Sequence, residues 1–165
     1  MELIIGTAQF GWKYGIANKT GQIPKEEAHR ILKYCYGQGI SKIDTAEGYR
    51  DSPKVIGSYI KENSTENFKV ITKINNNQNT FEQITKSLKS LGVKPYAVLS
   101  HKICDFYNKD FYNTLIRLKT LGFTKKIGVS IYPEDDLKLL FESHIPDIVQ
   151  LPLNILDIRL LKNGI

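Results

Sequence analysis

The feature that most limits the possible folds of this chain is the regular recurrence of six short apolar segments. They begin near Leu3, Ser41, Lys69, Tyr96, Lys126 and Asp147. Each has the length of a β-strand, and most of the segments between them have the i, i+3, i+4, i+7 periodicity of an amphipathic helix. Such alternation is typical of a parallel sheet with right-handed crossovers. The sequence therefore predicts the order βαβαβαβαβαβ.

The boundaries of several helices can also be predicted from local signals. The helix whose apolar stripe is Ala28, Ile31, Leu32 and Cys35 should follow a proline, and other helices should follow a capping box or end at a glycine. These signals are, in chain order, Pro24, the capping box of Thr80 and Gln83, Gly92, Gly122 and Pro133.

Two architectures show this alternation of strands and helices, an open doubly wound sheet and a (β/α)₈ TIM-type barrel. No GxGxxG motif follows the first strand, whereas polar residues end several consecutive strands, where barrel enzymes keep their active sites. The barrel is favoured. A closed barrel usually needs about 250 residues, and this chain has 165. We therefore expect a single domain, residues 1–165, that forms an incomplete barrel of about six strands and five helices.

Composition excludes several classes of function. The formal net charge is +6, but the lysines are scattered, so the charge predicts a solvated surface or an anionic ligand such as a phosphate-bearing cofactor rather than nucleic acid. No signal sequence or membrane-spanning run is recognisable. We expect a cytoplasmic protein. Cys35 and Cys104 lack CxxC spacing and the three histidines lack HxH spacing, so neither a disulfide nor a metal site is expected.

Four reactive side chains stand at or just beyond the ends of predicted strands. Asp44 ends the second strand and Tyr49 lies in the loop after it, whereas Lys73 and His101 end the third and fourth strands. Singly, each residue type is common in turns, caps or packed loops. Because parallel strands end at one rim, however, the four should converge on one pocket mouth.

Together the four residues suit proton transfer to a substrate oxygen. A phenol is a weak acid near neutral pH, and a nearby ammonium group such as that of Lys73 is expected to lower the pKa of Tyr49. Asp44 would hold Lys73 in place and keep it charged. His101 would hydrogen-bond the substrate oxygen and orient it.

The sequence resembles the aldo-keto reductase family over essentially its whole length. The matching segments are GTAQFGWKYGIANKTG, KIDTAEGY, VITKI, VLSHK, KIGVSIY and IVQLPLNILDIRLL. The resemblance implies that Asp44, Tyr49, Lys73 and His101 form the catalytic tetrad. Tyr49 would be the general acid that protonates a small carbonyl substrate while NADPH, or alternatively NADH, delivers hydride.

The resemblance also implies several binding residues. Gly6 and Thr7 would lie beneath the nicotinamide ring, and Ser130 and Gln150 would hold its carboxamide. The family usually has Asn after that serine, where this chain has Ile131. Trp12 and Tyr14 are candidates for the substrate pocket, with ordinary loop packing as the alternative.

A family barrel has two more strands, which help to bind the cofactor, so the resemblance implies a C-terminally truncated reductase. Its first and sixth strands would be open edges, and we expect self-association through them. Two alternatives remain open. Lys73 could form a Schiff base in an aldolase, or the chain could be a non-catalytic barrel fragment or binding subunit. The GTAQFG and YGIAN segments are similar to those of bacterial reductases of sugar-related pathways, so the resemblance implies a sugar-related carbonyl compound as one candidate substrate. The particular substrate and the direction of reaction are not indicated by the sequence.

Overall fold

The computed structural model describes residues 2–76, 81–89, 91–132, 140, 142 and 144–159. The strands are β1 (Ile5–Gly6), β2 (Lys42–Asp44), β3 (Lys69–Ile74), β4 (Ala97–Ser100), β5 (Lys126–Ser130) and β6 (Ile148–Gln150). The helices are α1 (Ala8–Gly11), α2 (Lys25–Gly37), α3 (Ser52–Glu62), α4 (Phe81–Lys89), α5 (Ile103–Tyr107) and α6 (Lys109–Thr120).

The six strands form one parallel sheet in the spatial order β1-β2-β3-β4-β5-β6. In a doubly wound sheet the strand order reverses at a switch point, whereas in a barrel each strand adds next to the previous one. The sequential order and the curl of the sheet confirm the predicted barrel type in its incomplete form. The predicted strand starts agree with the observed strands to within about two residues, which is the usual ambiguity of strand ends.

Local sequence explains where the longer helices begin and end. α2 starts directly after Pro24, and Gly39 follows its C-terminus with a φ of +78°, a conformation that only glycine adopts without strain. The Asn108 side chain accepts a hydrogen bond from the Phe111 amide and so caps α6. The predicted Thr80 cap and the predicted helix after Pro133 fall outside the described residues. No described helix is long and apolar enough to span a membrane.

The two faces of the sheet have different surroundings because side chains alternate along each strand. The outer face packs against the helices in the main core, which includes Ile43, Val70 and Val98. The inner, concave face carries a smaller apolar cluster that includes Ile71 and Leu99. This alternation leaves the last inward position of several strands available for polar side chains.

Gly128 on β5 allows β6 to approach closely. A methyl group at Gly128 would lie only 2.0 Å from the Ile148 carbonyl oxygen and 2.9 Å from Leu99 Cδ2. Since a backbone atom cannot move aside as a flexible side chain can, the close approach of β5 and β6 requires glycine at this position.

Gly128→Ala should therefore lower the free energy of unfolding by about 1–3 kcal/mol, through forced displacement of β6. Urea denaturation followed by circular dichroism measures the change. Gly37→Ala is the matched control, because no atom lies within 4 Å of the added methyl and alanine favours the helix. Equal stability of the two variants would contradict the proposed constraint at Gly128.

Candidate active site

The carboxyl ends of the strands bring most of the predicted site residues to one rim. Gly6 pairs with Asp44 across β1 and β2, and Ser130 pairs with Gln150 across β5 and β6. On β3 the residue that pairs with Asp44 is Ile71, and Lys73 lies two positions further along, on the same face of the sheet. Residues far apart in the sequence therefore share one end of the inner face.

His101 also belongs to this end of the sheet. It directly follows β4, and its amide donates to the Ile74 carbonyl at the end of β3. The backbone thus continues the β3–β4 pairing one residue beyond the strand and fixes where the imidazole starts.

The central interaction of the site is an ion pair between Lys73 and Asp44. Lys73 Nζ donates to Asp44 Oδ1 at 2.5 Å and to the Thr45 carbonyl at 3.1 Å. Their side chains are only 4% and 16% exposed, respectively. Burial lowers the pKa of Lys73, and the Asp44 carboxylate opposes that shift by stabilising the ammonium form. The ammonium thus depends on Asp44 for compensation of its lost hydration.

Tyr49 lies beside this ion pair. Lys73 Nζ is 5.3 Å from the centre of the Tyr49 ring, which is a cation–π distance. The Tyr49 hydroxyl makes no hydrogen bond to another described residue. The site therefore offers a half-buried phenol whose hydroxyl is available to a ligand.

The prediction that Lys73 lowers the pKa of Tyr49 is wrong. Burial, reinforced by the Asp44 charge, raises the pKa of Tyr49 to about 12. The physical reason is that loss of water destabilises the phenolate and that the Asp44 carboxylate repels its negative charge. Tyr49 is consequently protonated throughout the neutral pH range.

His101 is the fourth predicted residue at the rim. Its ring is 6.4 Å from that of Tyr49 between centroids, with the planes at 85°. Burial lowers the pKa of His101, and the ammonium groups of Lys73 and Lys102 lower it further. A histidine with a pKa below its ordinary value near 6.5 is neutral at pH 7, so it offers one ring nitrogen as donor and one as acceptor.

A buried hydroxyl cluster fixes the loop that carries Tyr49. Ser52 Oγ at the start of α3 donates to Thr7 Oγ1 at 2.8 Å and lies 3.1 Å from Thr45 Oγ1. Thr7 Oγ1 in turn donates to the Asp44 carbonyl at 2.8 Å. All three hydroxyl residues are fully buried. The cluster therefore ties both ends of the Tyr49 loop to the end of β1.

Sequence reasoning missed Thr45 and Ser52. Ser52 precedes Pro53 at a helix start, a pattern that predicts a helix cap rather than a buried hydroxyl. It also missed Gly11 of α1, where a methyl group would lie 1.6 Å from the Tyr49 carbonyl oxygen. No local signal marks the contacts of Ser52 with Thr7 and of Gly11 with Tyr49, because these residues are about 40 positions apart in the sequence.

Gln150 contributes a buried side-chain oxygen to the rim. Its Nε2 lies 3.3 Å from Asp44 Oδ1, whereas its Oε1 is buried and has no hydrogen-bond partner among the described residues. Beside it across the strand pair is Ser130, which is also buried. Ile131, where an asparagine is usual, packs into the main core and contributes no polar atom to this end of the sheet.

Of the two substrate-pocket candidates, Tyr14 lines a cleft at the rim and Trp12 lies outside it. A cleft of about 410 Å³ is lined by Gly6, Thr7, Tyr14, Asp44 and Tyr49, together with apolar residues beside β1. Trp12 does not line this cleft, but packs against Tyr14 with the ring centres 5.6 Å apart.

A larger hollow lies away from these residues. It measures about 670 Å³ and is bordered by α3, α4 and the turn after α4, near the amino ends of β3 and β4. It contains none of the predicted site residues. The chemistry of the side chains, rather than the size of the cavity, therefore identifies the rim as the candidate site.

The described residues contain no cluster of three or more acidic, histidine or cysteine side chains that could hold a metal ion.

A parallel β/α sheet of barrel type with ionisable side chains at the carboxyl ends of its strands is the arrangement of a barrel enzyme. The model of the aldo/keto reductase family matches residues 2–163. The chain belongs to this family, as its sequence motifs indicate. Among curated protein sequences, none is significantly similar to it.

Solved structures share the fold. A Pseudomonas aeruginosa protein described as an aldo-keto reductase superposes with a TM-score of 0.78 at 24% identity, over 96% of this chain and 66% of its own. The Bombyx mori aldo-keto reductase, solved in complex with NADP, has a TM-score of 0.70 at 22% identity, over 92% and 54% of the two chains. A Bacillus halodurans aldo-keto reductase in its holo form has a TM-score of 0.76 at 19% identity, over 98% and 56%. The chain thus spans between half and two thirds of the length of these structures.

Replacing Asp44 with Asn should lower the free energy of unfolding at pH 7 by about 3 kcal/mol, because the buried Lys73 ammonium loses its counter-charge. Urea denaturation measures the change. Glu2→Gln is the control, since Glu2 pairs with Lys42 at an exposed position and its loss should alter stability little. If both substitutions have the same small effect, the buried ion pair does not have the structural importance assigned to it.

Proposed function

We propose that this chain supplies the catalytic residues of an NADPH-dependent reductase that converts an aldehyde or ketone into an alcohol. The observation that carries the proposal is the buried Asp44–Lys73 ion pair beneath Tyr49, whose protonated hydroxyl has no partner among the described residues. Membership of the aldo/keto reductase family supports the same reaction class.

A nicotinamide cofactor fits the polar atoms of the rim. The buried Oε1 of Gln150 can accept a hydrogen bond from a carboxamide NH₂ group, because the Gln150 NH₂ already faces Asp44. Ser130 adds a hydroxyl beside it. At Gly6, at the end of β1, no atom lies within 4 Å of the position of a Cβ, which leaves room for a flat ring. These residues suit NADPH, with NADH as the alternative, and the Bombyx mori relative was solved with NADP.

When bound, the reduced nicotinamide supplies the hydride that the carbonyl carbon receives. Tyr49 donates its hydroxyl proton to the carbonyl oxygen, so the products are an alcohol and a phenolate. Lys73 Nζ, 5.3 Å from the ring centre, stabilises that phenolate once it forms. The ammonium of Lys73 therefore acts on the charge that develops during the reaction rather than on the resting phenol.

His101 and Asp44 have supporting roles in this mechanism. The neutral imidazole of His101 donates one hydrogen bond to the carbonyl oxygen and so directs it towards Tyr49. Asp44 keeps Lys73 charged and positioned through the 2.5 Å hydrogen bond.

The aldolase alternative is less compatible with the contacts of Lys73. Schiff-base formation requires a neutral, accessible amine. Lys73 is buried and donates to both Asp44 and the Thr45 carbonyl, so attack on a carbonyl would first break the ion pair. No contact of the described residues favours a purely non-catalytic binding subunit.

The sheet edges support a further part of the proposal, self-association. Among the described residues, β1 and β6 each have a strand neighbour on one side only. Large apolar side chains in the segments that precede β1 and follow β6 are exposed, including Leu3 and Leu156. Unpaired strand edges with apolar neighbours favour pairing with another chain.

Tyr49→Phe should reduce turnover by about 10²–10⁴-fold, the usual contribution of a general acid, with little change in cofactor affinity. The measurement is loss of NADPH absorbance with an aromatic aldehyde, beside fluorescence titration of NADPH. Tyr14→Phe is the matched control, because Tyr14 lines the same cleft. Retained activity in Tyr49→Phe would refute the assignment of Tyr49 as proton donor.

Lys73→Met should reduce turnover to a similar extent as Tyr49→Phe.

Analytical ultracentrifugation of the 165-residue chain at micromolar concentration should show dimers or larger species whose proportion rises with concentration. The physical reason is that association would cover the unpaired edges of β1 and β6. A single monomeric species across the concentration range would exclude this self-association.

A further inference from the structure

Arg50 directly follows Tyr49 and has an uncommon backbone conformation. Its φ is +50°, and it is the sole non-glycine residue with a positive φ in the described part of the chain. The left-handed region is unfavourable for residues with a Cβ, so most chains place Gly, Asn or Asp there. The bend turns an exposed arginine outward immediately after the proposed proton donor.

The guanidinium of Arg50 has a defined position despite its exposure. Its Cζ lies 5.4 Å from the centre of the Trp12 ring. Trp12 in turn packs against Tyr14, which lines the cleft with Tyr49 and Asp44. Contact with the aromatic face therefore holds the guanidinium at the margin of the proposed substrate cleft.

Arg50 has no carboxylate partner within the described residues. Glu47 and Asp51 belong to the same loop, yet neither forms an ion pair with it, and Asp44 is already paired with Lys73. A guanidinium in cation–π contact with an aromatic ring still has N–H groups to donate, and their planar fork matches a carboxylate or phosphate. This arrangement provides a preorganised donor set for an anion.

We propose that Arg50 binds an anionic group of the carbonyl substrate and thereby selects aldehydes or ketones that bear a carboxylate or a phosphate. The proposal rests on the proposed reductase function, because Tyr49 would hold the carbonyl oxygen of the same molecule. Trp12 and Tyr14 would pack against the carbon chain between the two groups. The preferred substrates are accordingly short, with the anion a few bonds from the carbonyl carbon.

The first test compares kcat/KM for two matched pairs of aldehydes at constant ionic strength. One pair is 4-oxobutanoate and butanal, and the other is glyceraldehyde 3-phosphate and glyceraldehyde. In Arg50→Met the ratio of anionic to neutral substrate should fall at least about tenfold for one pair. The pair that responds distinguishes carboxylate from phosphate, and Arg50→Lys should recover part of the ratio.

Lys13→Met is the matched control, because it removes an exposed positive charge from the loop that carries Trp12. Its ratios should stay within about twofold of those of the unmodified chain, as expected for an exposed charge that solvent and salt screen. If Arg50→Met lowers kcat/KM equally for both members of each pair, Arg50 has a purely structural role. The same loss of ratio in Lys13→Met would mean general electrostatic attraction. Either result overturns the proposal.

The second test does not depend on turnover. Trp12 is the single tryptophan of the chain, so its fluorescence reports directly on the neighbouring guanidinium. Succinate or inorganic phosphate should change the emission saturably in the unmodified chain and not in Arg50→Met. A saturable change in emission without reduction of any aldehyde would support the anion site and refute the proposed reductase function. Reduction with neither an emission change nor an Arg50-dependent ratio would refute the anion site alone.

Discussion

The buried ion pair between Asp44 and Lys73 is the interaction on which the site depends. A lysine ammonium on the inner face of a parallel sheet loses most of its hydration, so it is stable only beside a counter-charge. Asp44 provides this charge from the end of the neighbouring strand, 29 residues earlier in the chain. Tyr49 and Gln150 are arranged around this pair, and a change in either partner would alter the electrostatics of the whole rim.

The hydroxyl cluster of Thr7, Thr45 and Ser52 gives the ion pair its geometric precision. Asp44 can meet Lys73 only if the end of β2 is held beside β1 and β3, and Thr7 supplies one of the hydrogen bonds that hold it. Ser52 connects this point to the first turn of α3. The loop between them is short, so fixing its two ends also restricts where Tyr49 and Arg50 lie. Scaffold and chemistry are therefore coupled through buried polar contacts rather than through apolar packing alone.

Much of the fold could be predicted because its signals are local and repeated. The alternation of strands and helices, together with polar residues at the strand ends, indicated a barrel-type sheet, and the helices with clear apolar faces, such as α2 and α6, were found where expected. The predicted convergence of Asp44, Lys73 and His101 followed from the rule that parallel strands end together. The short helices α1 and α5 carried too little periodicity to be predicted individually.

By itself the sequence determined the family, the parallel order of the strands and which ionisable residues stand at their ends, since spacing along the chain encodes these features. Only the tertiary structure decided the state of those residues. The pKa of Tyr49 is raised, contrary to the sequence-based prediction, because burial and the Asp44 charge both destabilise the phenolate. The contacts of Arg50 with Trp12 and of Gln150 with Asp44 were likewise hidden, because they join segments distant in sequence. Solvation and long-range proximity are properties of the folded chain, so no local pattern records them.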